Sequence, residues 1–161
     1  MGRLFDAVAC LAGIRNEVTY EAQAAMELEV LSKPYLATAK QYPFELDGDI
    51  IRVSELLRQI IADVRSRKPA GWIGARFHQT LASLALEVSK RMQETFGIQE
   101  VALSGGVWQN QVLLDLAHTA LIQHKFTVYT HQQTPANDGG LALGQAVVAG
   151  FKIQNGGTHV S

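Results

Sequence analysis

Three short segments of this sequence combine glycine with a small polar or acidic residue, a combination that suits contact with a ligand. They are Gly2-Arg3-Leu4-Phe5-Asp6, Leu103-Ser104-Gly105-Gly106-Val107-Trp108-Gln109-Asn110, and Asn137-Asp138-Gly139-Gly140. Each lies where a helix is expected to begin or where a strand is expected to lead into one. Glycine lets a sugar or phosphate approach the main chain, and the N–H groups at a helix N-terminus favour anions. Together the three segments predict a nucleotide site.

Each segment taken alone has a second interpretation. The Gly105–Gly106 pair also fits a tight strand-to-helix connection, and it matches neither the P-loop nor the Gly-x-Gly-x-x-Gly dinucleotide motif. Asn110 could contact a base edge or ribose, cap the following helix, or face solvent. Asp138 could be a metal ligand or an N-cap. Asp6 interrupts a predicted helix, where Asp is a poor helix former, so it either faces solvent or binds a ligand.

The sequence provides no convincing catalytic nucleophile or complete metal site. None of the five histidines forms a His-x-x-x-His pair, and we interpret them as surface or hydrogen-bonded core residues. Ser104 lacks the Gly-x-Ser-x-Gly context of a hydrolase nucleophile. Cys10 is the single cysteine, which excludes a disulfide framework and suits a reducing cytosol. We therefore expect a cytoplasmic protein and no catalytic residue from this chain.

Composition narrows the class of protein. With 161 residues, of which 47% are apolar and 18% charged, the chain is expected to form one globular domain over residues 1–161. The formal net charge is -1, and no clustered basic face suggests a nucleic-acid partner. No apolar run is long enough to suggest a membrane span.

The hydrophobic pattern predicts an α/β fold rich in helices. Long helices are predicted at about 21–31, 71–96 and 108–123, and a helix capped by Ser54 is predicted to end before Pro69. Helices at about 3–12 and 139–151 flank these, and the last carries small residues that would let it lie against a sheet or another helix. A hairpin is predicted around Asp47-Gly48. Strands at 101–103 and 126–129 predict a parallel pair with a right-handed crossover. The tail, 154–161, is expected to be flexible.

The three segments together resemble the carbamoyl-transfer branch of the actin-like ATPase superfamily. Two families share the pattern, the tRNA threonylcarbamoyltransferases (TsaD) and the hydrogenase maturation carbamoyltransferase HypF. Residues 3–9 and 20–29 are similar to the HypF hallmark, whereas the tRNA enzymes have a Pro-Gly-Gly-Pro loop. The resemblance runs from Gly2 to about Gly150. It implies the C-terminal half of an actin-like (ASKHA) domain, with a short mixed sheet that contains a parallel pair and is covered by long helices.

The resemblance also implies roles for particular residues. Gly2 and Asp6 match positions at the nucleotide ribose, Gly105–Gly106 match a turn beneath the adenosine, and Asn110 matches a nucleotide-contacting Asn. Asp138 matches a carboxylate that binds a divalent metal (Zn, Fe or Mg), with the other metal ligands outside this chain.

The function implied by the resemblance is carbamoyl transfer. In the HypF family, carbamoyl phosphate and ATP give carbamoyl-adenylate, whose carbamoyl group passes to the C-terminal cysteine of HypE on the way to the cyanide ligands of nickel-iron hydrogenase. The implied partners are HypE and the remaining domains of HypF. The family's first lobe, with its His-x-x-x-His ligands and phosphate loop, has no counterpart here, so we expect a fragment that is inactive alone. The alternatives are TsaD-like tRNA threonylcarbamoyl transfer and a degenerate, non-catalytic nucleotide-binding module.

Overall fold

The computed structural model describes residues 1–48 and 50–154. This part of the chain contains six α-helices and four short strands. The helices are α1 (Gly2–Leu11), α2 (Gln23–Ser32), α3 (Ser54–Arg65), α4 (Ala70–Phe96), α5 (Gln111–Gln123) and α6 (Leu141–Gln154). The strands are β1 (Glu45–Asp47), β2 (Ile50–Arg52), β3 (Glu100–Leu103) and β4 (Thr127–Thr130). Three 3-10 turns lie at Lys33–Tyr35, Gly106–Gln109 and Asp138–Gly140. The tail that was predicted to be flexible spans 154–161. Gln154 is the last residue of α6, and residues 155–161 lie outside the described part of the chain.

Helix α4 is the centre of the core. Apolar side chains recur along it at steps of three and four, and Ile73, Phe77 and Leu81 are all buried. Pro69 precedes the helix, and Gly97 ends it with a φ of 71°. Helices α2 and α5 make the most extensive contacts with α4, and α1 and α3 pack beside them. The first half of α4 is therefore enclosed by other helices.

Close contact between α2 and α4 depends on glycine. A Cβ atom added at Gly71 would overlap the backbone carbonyl oxygen of Leu31 and lie 2.8 Å from the Tyr35 ring. A Cβ atom added at Gly74 would overlap the side chains of Ser32 and Leu28. The two helices therefore pack at a distance that only hydrogen at these Cα positions permits.

A partly buried polar cluster attaches α3 and the loop before β1 to α4. The Tyr42 hydroxyl donates to Asp63 Oδ2 at 2.8 Å, and Arg76 Nη1 donates to the same oxygen at 2.7 Å. The Arg76 guanidinium carbon also lies 3.8 Å from the centroid of the Tyr42 ring. Burial, followed by the hydrogen bond and charge of Asp63, raises the pKa of Tyr42, so the phenol stays protonated and acts as donor.

The strands form two separate two-stranded sheets in the described ranges. Strands β1 and β2 form the predicted antiparallel hairpin, with Leu46 opposite Ile51. Strands β3 and β4 form the predicted parallel pair, with Leu103 opposite Thr130, and α5 connects them. The carboxyl ends of β3 and β4 therefore lie side by side, where the glycine-containing loops begin.

Two predicted helix starts are wrong in detail. The helix predicted from Trp108 begins at Gln111, because residues 106–109 form a 3-10 turn after Gly105. Ser54 is the first residue of α3 rather than its cap, and Val53 occupies the cap position without a side-chain hydrogen bond.

Helix α6 lies on the surface of the described part of the chain. None of its residues is buried, and large apolar side chains such as Leu141, Val147 and Ile153 are 61%, 62% and 81% exposed. A Cβ atom added at Gly144 would meet nothing within 4 Å. The prediction that its small residues lie against a sheet or another helix is therefore wrong for this part of the chain. None of the described helices is both long and apolar enough to cross a bilayer.

Candidate functional site

The turn after β3 has the backbone shape that its glycines predict. Gly105 has φ 102° and ψ 160°, a conformation that side-chain-bearing residues rarely adopt, and a Cβ atom there would meet nothing within 4 Å. Its N–H donates to the carbonyl oxygen of Ala136 at 2.8 Å. A Cβ atom on Gly106 would lie 3.9 Å from that of Asn137. The Gly105–Gly106 turn is therefore in direct contact with the segment that carries Asp138.

A cleft of about 690 Å³ opens between these two loops and α6. Its lining includes Gly105, Gly140, Asp138 and Lys152. The two charged groups and the open glycine backbone give the cleft a polar edge, and the exposed apolar residues of α6 give it an apolar wall. Such a mixture suits a ligand with both a charged and a flat apolar part.

A serine–histidine pair joins the ends of β3 and β4 at this cleft. His131 Nε2 and Ser104 Oγ are 2.8 Å apart, and His131 Nδ1 lies 3.2 Å from Thr134 Oγ1. Sequence reasoning missed this pair, although Ser104 and His131 follow adjacent parallel strands directly, which is a usable signal. Among the residues that the structure describes, no carboxylate is hydrogen-bonded to the imidazole, so the pair lacks the third member of a hydrolase triad. The contact joins the loops that follow β3 and β4.

Asn110 caps helix α5, which was one of its predicted interpretations. Its Oδ1 accepts from the N–H of Leu113 at 2.8 Å, and its Nδ2 lies 2.9 Å from His78 Nε2. Glu29 Oε1, from α2, accepts from the N–H groups of Gln111 at 3.1 Å and of Val112 at 3.3 Å. The N-terminus of α5 is thus satisfied by one amide and one carboxylate, as its dipole favours.

His78 is a hydrogen-bonded core residue, as the histidines were interpreted to be. It is fully buried, and its Nδ1 lies 2.7 Å from the carbonyl oxygen of Gly74. Burial lowers the pKa of His78, although the bond to Gly74, the charge of Glu29 and the bond to Asn110 act in the opposite direction. The imidazole is therefore neutral at physiological pH.

Helix α1 reaches this buried histidine through Phe5. The rings of Phe5 and His78 have centroids 5.3 Å apart, and Phe5 also packs edge-on against Phe77 at 4.9 Å. Gly2 and Asp6 lie on the same helix and are exposed. Exposure alone accounts for an Asp in this helix, so the residue needs no ligand to compensate its charge. Its role at the ribose stays a prediction.

Asp138 is not the cap that the alternative interpretation required. Asn137 takes the cap position, and its Oδ1 accepts from the N–H of Gly139 at 3.1 Å. Asp138 is the first residue of the following turn, with an exposed side chain. Within residues 1–48 and 50–154, no group of three or more His, Cys, Asp or Glu side chains is placed to hold a metal ion. Asp138 therefore fits a metal only as one ligand of a larger set.

The predicted site residues fall into two connected groups. Asn110 is linked to α1 through His78 and Phe5. Gly105–Gly106 are linked to the segment that carries Asp138 through backbone contacts. The 3-10 turn between Gly105 and Asn110 joins the two groups. Convergence of all six residues, Gly2 and Asp6 included, on one nucleotide remains a prediction.

Comparison with known proteins identifies the class. A family model described as "Carbamoyltransferase, Kae1-like Domain, second subdomain" matches residues 1–145. Two HypF crystal structures share the architecture. Full-length HypF in the phosphate- and nucleotide-bound form is 39% identical with a TM-score of 0.90, and the match covers 99% of this chain and 21% of that one. T. kodakarensis HypF is 29% identical with a TM-score of 0.79, and the match covers 96% of this chain and 20% of that one. The predicted fold class, an α/β half of an actin-like domain, is thereby confirmed.

Similarity to proteins of known family identifies the family of this chain. The carbamoyltransferases HypF of Synechocystis and of Rhizobium leguminosarum are 37% and 36% identical to this chain, over 96% of its length in each case. The chain belongs to the HypF carbamoyltransferase family. It spans about a fifth of the length of these relatives, 19% and 20% respectively.

Proposed function

We propose that this chain holds the nucleotide portion of carbamoyl-adenylate while a carbamoyltransferase of the HypF type passes the carbamoyl group to HypE. The contact between the Gly105–Gly106 turn and the segment carrying Asp138, at the edge of an open cleft, is the observation that carries the proposal. A similar solved structure is described as HypF in a phosphate- and nucleotide-bound form, which supports a nucleotide as the ligand.

The proposed roles follow the exposure of each group. Gly105 leaves open space where any side chain would project, so an adenosine can lie against the turn. Asn110 Nδ2 has a second N–H beyond the one directed at His78, and that N–H can reach a ligand. Asp6, exposed on α1, can accept from ribose hydroxyls. This chain then contributes binding and orientation, which lower the entropic part of the barrier.

The transfer itself needs no nucleophile from this chain. The thiolate of the C-terminal cysteine of HypE attacks the carbamoyl carbonyl carbon, the bond from that carbon to the phosphate oxygen breaks, and AMP leaves with the bonding pair. Asp138 supplies one carboxylate to a divalent metal (Zn, Fe or Mg), and the remaining ligands come from other parts of HypF. Carbamoyl phosphate and ATP are the source of the adenylate.

Carbamoyl transfer can be tested in a chimera. The segment of Synechocystis HypF that aligns with this chain, 156 residues long, is replaced by the chain itself. We expect the purified chimera to transfer labelled carbamoyl from carbamoyl phosphate and ATP to HypE, and not to HypE that lacks its C-terminal cysteine. A chimera that folds and forms carbamoyl-adenylate but does not transfer would instead favour the degenerate nucleotide-binding module. Transfer of a threonylcarbamoyl group to tRNA, in place of carbamoyl transfer to HypE, would favour a TsaD-like function.

Nucleotide binding by the chain alone is expected to be weak. The candidate groups Gly2 and Asp6 are exposed, the cleft is open to solvent, and no phosphate-binding loop was found in the sequence. Calorimetry with ADP should give a dissociation constant in the high micromolar range or weaker, about -5 kcal/mol. Nanomolar binding would contradict the expectation and show that these residues form a complete site.

A further inference from the structure

The buried imidazole of His78 has a defined tautomer. A backbone carbonyl oxygen can only accept, so His78 Nδ1, at 2.7 Å from the Gly74 oxygen, carries the proton. The neutral ring then has its lone pair at Nε2. Asn110 Nδ2, at 2.9 Å from Nε2, is therefore the donor in the contact between these two side chains.

This contact and the cap bond together determine how the Asn110 amide is oriented. Oδ1 accepts from the Leu113 N–H at 2.8 Å, while one Nδ2 hydrogen is directed at His78. Reversing the amide would place two acceptors, Oδ1 and Nε2, against each other and leave the Leu113 N–H facing an NH2 group. One amide N–H remains uncommitted, and its direction is fixed by the other two bonds.

His78 also connects Asn110 with helix α1. The Phe5 ring packs at 64° against the imidazole, and Asp6 is the next residue along that helix. The imidazole therefore contacts both α1, which carries Asp6, and Asn110 at the N-terminus of α5. His78 itself has no exposed surface, so it cannot contact a ligand.

We propose that His78 is a positioning residue for the nucleotide, which holds the Asn110 amide with its remaining N–H available to the ligand. This inference rests on the proposed function, because it takes the nucleotide as the ligand of Asn110. A residue that only fills the core would affect stability alone. A positioning residue affects ligand affinity through the acceptor at Nε2, whatever happens to stability.

Two substitutions of similar size separate these roles. In His78→Gln the side-chain amide can place an acceptor oxygen near the former Nε2, whereas His78→Asn reaches only the position of Nδ1. Both variants remove the ring and are expected to lower the melting temperature. In ADP titrations of the full chain followed by NMR, we expect His78→Gln to stay within about threefold of wild type and His78→Asn to bind about tenfold more weakly.

Asn110→Ser gives a test that keeps the His78 ring in the core. Serine caps helices well, and the melting temperature should fall only by the effect of the donor lost from buried His78 Nε2. The amide is lost, so ADP affinity should fall about as much as in His78→Asn. The double variant His78→Asn/Asn110→Ser should bind no more weakly than either single variant, because both remove the same contact.

The outcomes distinguish this inference from the proposed function. Before ADP is added, the side-chain amide signals of Asn110 should shift in His78→Asn and return toward wild type in His78→Gln. If wild type binds ADP and His78→Asn binds it equally well, positioning by His78 is wrong while the nucleotide site stands. If wild type shows no ADP binding in this titration, positioning by His78 is overturned for the chain alone, and the transfer assay with the chimera decides the proposed function separately.

Discussion

Replacing Asp138 by Asn is expected to abolish carbamoyl transfer by the HypF chimera while leaving the unfolding free energy of the chain nearly unchanged. The side chain is exposed, and the cap bond of the turn comes from Asn137 rather than Asp138. Stability should therefore fall by no more than the value of one carboxylate at a helix N-terminus, about 0.3–1 kcal/mol. A metal ligand tolerates the change poorly, because a neutral amide brings no charge to the cation. Transfer of labelled carbamoyl to HypE measures activity, the metal content of the purified protein measures metal binding, and urea unfolding measures stability.

Two further variants serve as controls for Asp138→Asn. Asp115→Asn removes an exposed carboxylate on α5, away from the candidate cleft, and should leave transfer intact. Asn137→Ala removes the cap bond and should weaken this turn locally by about 1 kcal/mol, which amide hydrogen exchange at the start of α6 measures. If Asp138→Asn keeps near-normal transfer and metal content, Asp138 is only an acidic residue in the first turn, and its assignment as a metal ligand is wrong.

Gly71→Ala is expected to be the most destabilising of the small substitutions on α4. The added methyl group would overlap the Leu31 carbonyl oxygen, which belongs to the backbone of α2 and cannot rotate away. Either α2 moves away from α4 or the helix distorts, and overpacking of this kind costs about 1–3 kcal/mol, with a value near the upper end expected here. Urea unfolding at an unchanged m-value measures the loss.

Gly144→Ala on α6 is the matched control for Gly71→Ala. The same methyl group would meet nothing within 4 Å, and both glycines lie inside helices. Alanine is the better helix former by about 1 kcal/mol, so this variant should be neutral or slightly more stable. Equal effects of the two substitutions would mean that α2 and α4 do not pack as closely as the structure indicates.

The helical part of the fold could be predicted closely because its signals are local. The apolar period of α4, with Pro69 before it and Gly97 after it, predicted its bounds to within one residue. The hairpin at Asp47-Gly48 and the parallel pairing of the two later strands were likewise predicted. The start of α5 was missed because the backbone of Gly105 leads into a 3-10 turn, and sequence periodicity does not separate such a turn from the first turn of an α-helix.

The sequence could indicate which residues are candidates for the site, but not the contacts that hold those residues in place. The contact between His78 and Asn110 joins residues 32 positions apart on different helices, and no sequence period relates them. Asn137 and Asp138 are adjacent and both can cap, so only the geometry separates their roles. The unusual position of Asp6 suggested a ligand, yet solvent exposure is a sufficient explanation. The three-dimensional arrangement, which the residue types alone do not specify, decides each of these points.

The exposed position of α6 means that one wall of the cleft need not unfold together with the core. A helix without buried side chains gains little from tertiary burial, and a length of 14 residues is marginal for a helix that stands on its own. Its local opening should require much less free energy than global unfolding, which breaks the packing around α4. Thermal or urea denaturation would then measure the stability of the core around His78. It would be insensitive to the local opening of α6, the wall of the cleft beside Asp138. In this chain, ligand-site order and domain stability are two separate quantities.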